Sequence, residues 1–285
     1  MELKFYLISA LVEASIWALP AAGVTLIYGV LRYPNFALSE YMTVGAYLAL
    51  ALANLPGITI WFAAAAAVVM TGILAAAVDQ AFFRPVRQAG ALPPILLSLG
   101  LMLVLQNVVR FVWRNDVREL PVPLVEPYEI AGFVITSHQM ATIVCSLLAL
   151  FMLFFVLSRT RFGKAARAIA NNPNLALVAG VEPEPVYFGV LFVAGALAAL
   201  GGIFLGLAST ITPLIGWQTL IPIFAVAILG GLGNVLGAAS AALVLAAASE
   251  YSLLVVQASY KPAVSFVVLA LVLLVRPSGL LRSNL

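Results

Sequence analysis

The chain has 285 residues, 64% of them hydrophobic and only 9% charged, with a mean hydropathy of +1.13. A soluble domain carries about 25% charged residues, so a water-soluble globular fold is excluded and an integral membrane protein is indicated. The 14 Lys and Arg exceed the 11 Asp and Glu by a net +3, which suits membrane flanks and falls far short of a nucleic-acid-binding face.

The opening run MELKFYLISALVEASIWALP stays apolar past Pro20 to Tyr28 and includes Glu13. A cleaved signal has an apolar core of about 7 to 15 residues, so this run is read as a retained span near 6–31. A transmembrane helix needs about 20 mostly apolar residues. On that measure further spans fall near 40–54, 59–82, 92–113, 138–157, 186–209 and 262–275. The stretch 212–249 is too long for one crossing at about 1.5 Å of rise per residue, and GGLGN at 230–234 interrupts it. It splits into a shorter piece before Gly230 and a second from about 235 to 249. The expected fold is all-α: one transmembrane domain over 1–285, a bundle of about eight or nine helices with some broken or half-depth.

Loop charge sets the orientation. Arg159, Arg161, Lys164 and Arg167 precede the first acid, Glu182, and Arg84 and Arg87 follow the third span; both loops are expected in the cytoplasm. The loop 114–137 mixes Arg114 and Arg118 with Asp116, Glu119, Glu126 and Glu129 and is the best external loop. Arg276 and Arg282 put the C-terminus inside, which requires 212–249 to cross twice; Arg32 and the N-terminus leave their side open. Small residues recur at helix-packing spacing at Gly202 and Gly206, Gly233 and Gly237, and Ala63 to Ala67.

Polar residues inside the spans are few. In NFALSEYMTVGAY, Asn35, Ser39 and Glu40 precede a clean apolar run. They mark either a broken entry to the second span, with Pro34 setting the break and Ser39 capping the helix, or plain capping at the membrane interface. Gly230, Gly231, Gly233 and Asn234 read either as a hinge between half-helices or as a tight turn. Glu13 is a functional candidate by depth. Asp79, close to Arg84 and a span end, is expected to be a snorkelled or paired interface residue, and Gln106, Asn107 and Arg110, near the outer end of the fourth span, either face the mouth or merely mark the span's end. His138 has no second metal ligand beside it. Cys145 is the sole cysteine, so no intrachain disulfide forms.

The segment 158–185 carries the clearest organisation. Arg161, Lys164 and Arg167 fall within an arc of about 120° on a helix. Asn172 followed by Pro173 reads as an N-cap and first-turn proline of a second short helix, and Gly180 as its left-handed end. The alternatives are a basic loop obeying the positive-inside rule and a rigid docking element of two helices.

GKAARAIANNPNLALVAGV, residues 163–181, resembles the cytoplasmic coupling segment of the permease subunits of branched-chain amino acid ABC transporters, the leucine/isoleucine/valine type. YGVLRYPNFALSEYMTVGAY (28–47), AVAILGGLGNVLGA (225–238) and RPSGLL (276–281) resemble that family's other landmarks in the same order. Where the family has His-Gly after Asn-Phe-Ala, this chain has Leu38 and Ser39.

The resemblance implies a non-enzymatic import subunit in the plasma (inner) membrane for branched-chain amino acids or related small polar solutes. It implies no cofactor on this chain and ATP-Mg on a partner, and the sequence agrees in lacking a phosphate-binding G-x-x-x-x-G-K-[ST]. It implies as partners cytoplasmic ATP-binding subunits, a second permease (homologous or a second copy) and an external solute-binding protein, with no nucleic acid. Arg161, Gly163, Lys164, Arg167, Ala168, Asn172 and Gly180 would couple to the ATPase, with the three cations meeting acidic residues there and Ala168 and Ile169 packing closely. Asn35, Ser39, Glu40, Gly230, Gly231, Gly233 and Asn234 would line or hinge the pathway. Urea or short amides are alternative solutes within the same family. A stand-alone channel or ion-coupled carrier is the competing class, and it leaves a surface-lying basic helix pair unexplained.

Overall fold

A computed structural model describes residues 2–87, 89, 90, 92–122, 127–130, 133–257 and 260–275. Among them the chain forms α1 (Glu2–Leu31), α2 (Leu38–Ala53), α3 (Ile60–Val78), α4 (Leu92–Trp113), α5 (Ser137–Arg159), α6 (Arg161–Asn171), α7 (Pro173–Val178), α8 (Pro183–Ala208), α9 (Ile215–Gly230), α10 (Val235–Ser252) and α11 (Lys261–Val275). A small antiparallel hairpin, β1 (Tyr128–Ile130) with β2 (Phe133–Ile135), lies in the long loop before α5. The helix of α3 runs on through a π-helical turn, Asp79–Phe83, and a 3-10 turn, Arg84–Val86.

Six helices, α1, α3, α4, α5, α8 and α10, are long and apolar enough to cross a membrane, and α2, α9 and α11 are shorter apolar helices. The predicted break of 212–249 is present, since α9 stops at Gly230 and α10 starts at Val235. Arg276, Arg282, Glu126 and the RPSGLL segment lie outside the described residues.

The bundle is organised around α1, which packs on α8, α10, α9 and α5. Its inward residues from Leu19 to Ile27 are almost completely buried. The peripheral α4 and α5 expose Phe111, Leu147, Leu148, Phe151 and Met152, as lipid-facing helices do. At the foot of α1, Arg32 donates from Nη2 to the Ala170 carbonyl (2.8 Å), which places the C-terminal end of α1 beside the basic α6. The positive-inside rule makes this the cytoplasmic face, so α1 enters from outside. At the opposite face the loop after α4 meets the loop between α8 and α9, where Arg118 and Ile211 exchange two backbone hydrogen bonds of 3.0 and 2.7 Å.

Helix packing uses the small residues that close approach in lipid requires. A Cβ on Gly202 would overlap the Met42 backbone, so α2 and α8 cross with main chains in contact. Of the expected pair Gly233 and Gly237, only Gly237 packs, and its partner is Gly230 across the α9–α10 turn. Gly233 instead supplies backbone at φ +92, a conformation side-chain-bearing residues rarely adopt.

Gly202→Ala is expected to destabilise the bundle by about 1–3 kcal/mol, as overpacking does. Gly100→Ala, on an open face of α4 with nothing within 4 Å, is expected to be neutral. Thermal stability of the two detergent-solubilised variants checks the contrast.

Candidate functional site

Between α1 and α2 the chain turns back inside the bundle. The Tyr33 ring stacks on Phe83 (5.8 Å between centroids) and Phe36 on Phe224 (4.8 Å). Asn35 Oδ1 accepts from the Ala37 N–H at 3.1 Å, and the Phe36 N–H donates to Ser98 Oγ at 3.3 Å. The exposed backbone of the break is thereby satisfied by side chains, as hydrocarbon demands. Ser39 does not cap α2 as the sequence suggested. Helix α2 already begins at Leu38 without a side-chain cap, and Ser39 Oγ donates backwards to the Phe36 carbonyl (3.0 Å). The capping group of this corner is Asn35.

Glu40 is completely buried. Its Oε2 accepts from Thr43 Oγ1 (2.9 Å), and that hydroxyl accepts from the Gly216 N–H (2.9 Å) in the first turn of α9. A Cβ on Gly216 would lie 2.6 Å from the Ser39 carbonyl and 2.7 Å from the Glu40 carboxyl carbon. The Glu40 carboxylate therefore sits over the N-terminus of α9, where the helix dipole favours negative charge. This arrangement ties α2 to α9. Asn35 and Ser39 are equally enclosed, so the three polar residues face protein in this conformation.

The glycine break lies elsewhere, at the cytoplasmic face. Gly231 and Gly233 both have φ +92, and Asn234 Oδ1 accepts from the Gly237 N–H (3.0 Å), capping α10. This tight turn borders a cavity of about 290 Å³ shared with Phe154, Ser158 and Arg167. Gly233 and Asn234 are thus neighbours of the basic helix pair and far from Glu40.

The helix pair has the expected ends. Thr160 Oγ1 accepts from the Gly163 N–H (3.3 Å) at the start of α6. Asn172 Oδ1 accepts from the Asn174 and Leu175 N–H groups (3.0 and 3.1 Å) at the start of α7, with Pro173 in the first turn. Gly180 follows α7 at φ +83. Gly163 packs against Leu157, and a Cβ there would overlap the Leu157 carbonyl.

The three-residue basic face is corrected to two. Arg161 and Lys164 are exposed, whereas Arg167 turns inward and donates to the Leu157 carbonyl, because a free carbonyl at the end of α5 is an obligatory acceptor. Ile169 packs inside its own bundle at 1% exposure, so it offers no outer contact. What sequence reading missed is the apolar surface of α7: Leu175, Leu177 and Val178 are exposed at 66%, 55% and 87%. Three large apolar residues in a six-residue helix with no buried partner for them were the available signal.

Behind the pair, Asp79 is buried and bonded to Arg87 (Nη2 to Oδ2, 2.5 Å), not to Arg84 as its neighbourhood suggested. Arg87 also reaches Glu184 (3.0 Å) and lies 4.2 Å over the Tyr187 ring. Arg84 makes an outer contact to Glu184 at 3.5 Å. This network fastens the end of α3 to the first turn of α8.

Against protein families, residues 6–275 match the model described as the branched-chain amino acid transport system / permease component. The chain belongs to this permease family. The permease is 31% identical to the high-affinity branched-chain amino acid transport system permease protein BraD of Pseudomonas aeruginosa, over 96% of this chain and 94% of that protein. It is also 31% identical to the permease protein LivH of Escherichia coli K12, over 94% and 91%. Among solved structures, PsaBC from Streptococcus pneumoniae in complex with Fab shares the fold, with TM-score 0.50 and 16% identity over 96% of this chain and 92% of that one. The permease is accordingly a multi-pass membrane protein, and its relatives are transport subunits.

In this permease Asp79→Ala is expected to cost about 3 kcal/mol, because it leaves the largely buried Arg87 guanidinium with only the half-exposed Glu184 as its counter-charge. Arg84→Ala removes only a surface ion pair worth about 0–1 kcal/mol. Unfolding midpoints of the two purified variants check the difference.

Proposed function

We propose that the permease is the membrane subunit of an ATP-driven importer in the inner membrane and moves branched-chain amino acids or closely related small solutes. ATP-Mg would be held by separate cytoplasmic subunits, an external binding protein would deliver the solute, and a second permease chain would complete the pathway. The observation that carries this reading is the capped pair α6–α7. It is too polar to span, it is locked to α1 through Arg32 and Ala170 and to α5 through Arg167 and Leu157, and it presents Leu175, Leu177 and Val178 outward.

The docking face is then an apolar knob on α7 flanked by Arg161 and Lys164. Burial of large apolar side chains supplies affinity, and the two cations supply orientation against an acidic groove. Gly163, Arg167, Ala168, Asn172 and Gly180 hold the shape of the pair. Closure of the nucleotide-bound ATPase would move α6–α7 as a rigid body and with it the cytoplasmic ends of α1, α5 and α8. Asn35, Ser39 and Glu40 would change environment when α2 separates from α9, and the turn Gly230–Asn234 would be the pivot beside Arg167.

Arg167→Glu also breaks the end of α5, so the cleaner tests are Lys164→Glu and Val178→Asp at exposed positions. Val178→Asp is expected to lower ATPase co-purification and solute uptake by about ten-fold or more, as loss of an interface hot spot does, with the permease still monodisperse. Unchanged uptake in both variants would remove α6–α7 from the coupling route.

A further inference from the structure

Three charged side chains from three helices meet toward the outer end of the bundle. Lys261, the first residue of α11, lies 2.8 Å from Glu13 Oε1 of α1 and 2.7 Å from Glu250 Oε1 of α10. One ammonium between two carboxylates leaves an excess of one negative charge. Glu13 Oε2 is enclosed by protein and accepts no hydrogen bond among the described residues, so the Lys261 ammonium is the cation that holds this carboxylate. Lys261 carries three N–H donors and spends two on the acids, so one remains.

This cluster opens on a cavity. Glu13 and Lys261 line a space of about 380 Å³ together with the polar Ser209, Thr210, Thr212 and Gln218. Such a volume is within the range of about 300–1,000 Å³ for small-molecule sites. Two other cavities of similar size, about 410 and 400 Å³, have walls that are almost wholly apolar and suit lipid chains. The polar cavity also has an apolar side, formed by Trp17, Leu205 and Pro222. It therefore brings together an acidic side chain, a cationic donor and a greasy wall.

We propose that this cavity is a binding site for a zwitterionic α-amino acid on the entry side of the permease. The ammonium group meets the Glu13 carboxylate, the ligand carboxylate accepts from Lys261 Nζ, and an aliphatic side chain lies on Trp17, Leu205 and Pro222. The proposal rests on the reading of the chain as an amino-acid permease and gives that reading a residue-level site distinct from the Glu40 corner. A purely structural clamp of α1 to α10 and α11 would show no preference among solutes.

The test uses the complete transporter in membrane vesicles, with Cys145→Ala removing the native thiol and Ser209→Cys placing a reporter at the exposed rim of the cavity. Maleimide labelling of that reporter is timed with L-leucine, with 4-methylpentanoate, which lacks the ammonium, and with 3-methylbutylamine, which lacks the carboxylate. L-leucine at ten times its Kd is expected to slow labelling about ten-fold, and the two analogues are expected to leave it unchanged. Glu13→Gln and Lys261→Met are each expected to abolish the protection.

Equal protection by 3-methylbutylamine overturns the zwitterion assignment, and leucine protection that survives Glu13→Gln overturns the residue assignment. Uptake of radiolabelled leucine in the same vesicles separates the two readings. Uptake without protection sinks the cavity and leaves the amino-acid permease standing, whereas uptake of urea or acetamide in place of leucine sinks the permease reading itself. Should the substituted chains fail to fold, the analogue series with the unsubstituted cluster still decides.

Discussion

A chain in hydrocarbon must satisfy its own backbone wherever a helix stops, because lipid offers no hydrogen bonds. Four side chains do this at the interior or cytoplasmic breaks of the permease: Asn35 before α2, Thr160 before α6, Asn172 before α7 and Asn234 before α10. Each accepts from a backbone N–H that would otherwise be orphaned. These breaks position the Glu40 corner, the cytoplasmic helix pair and the α9–α10 turn. The first lets α2 start inside the bundle with Glu40 over α9, the next two fix the angle of the α6–α7 pair, and the last lets α9 and α10 cross at Gly230 and Gly237.

Charge in the bundle follows the same economy of partners. Five acids of the helices have specific partners: Asp79 and Glu184 are held by Arg87, Glu40 by Thr43 over the α9 N-terminus, and Glu13 and Glu250 by Lys261. These contacts join helices that are distant in sequence, α3 with α8, α2 with α9, and α1 with α10 and α11. In a medium where apolar packing distinguishes poorly between neighbours, such pairs specify which helix sits beside which. Two of these groups lie toward the ends of the bundle and Glu40 lies at its interior break, while small residues make the close backbone contacts between helices.

Much of this was legible in the chain. Helix number and the division of 212–249 follow from apolar run length and the glycine-rich interruption, and the ends of α7 follow from Asn172, Pro173 and Gly180, since those signals act within a few residues. The direction of side chains was not legible. Arg167 sits on the same helical arc as Arg161 and Lys164, yet the carbonyl it satisfies belongs to Leu157 on another helix, and no local pattern announces that acceptor. Asp79 pairs with Arg87, eight residues on and beyond a π-helical and a 3-10 turn, a spacing that no regular helical period announces. The Glu13–Lys261–Glu250 cluster joins positions at opposite ends of the sequence, and only tertiary packing reveals it. Ser39 matched a capping residue by type, but the helix had already begun one residue earlier.

Helix α1 joins the two faces of the molecule mechanically. Its cytoplasmic end is tethered by Arg32 to the Ala170 carbonyl of α6, and its outer half carries Glu13 against Lys261. From Glu13 to Arg32 the chain rises about 28 Å as helix, and Pro20 within it lacks the N–H that would bond the Ile16 carbonyl and packs against Gly201 of α8. A displacement at the cytoplasmic tether would therefore travel toward the outer cluster through a proline turn braced on α8, and the fit of Pro20 against Gly201 would set how much of it arrives at the Glu13 carboxylate.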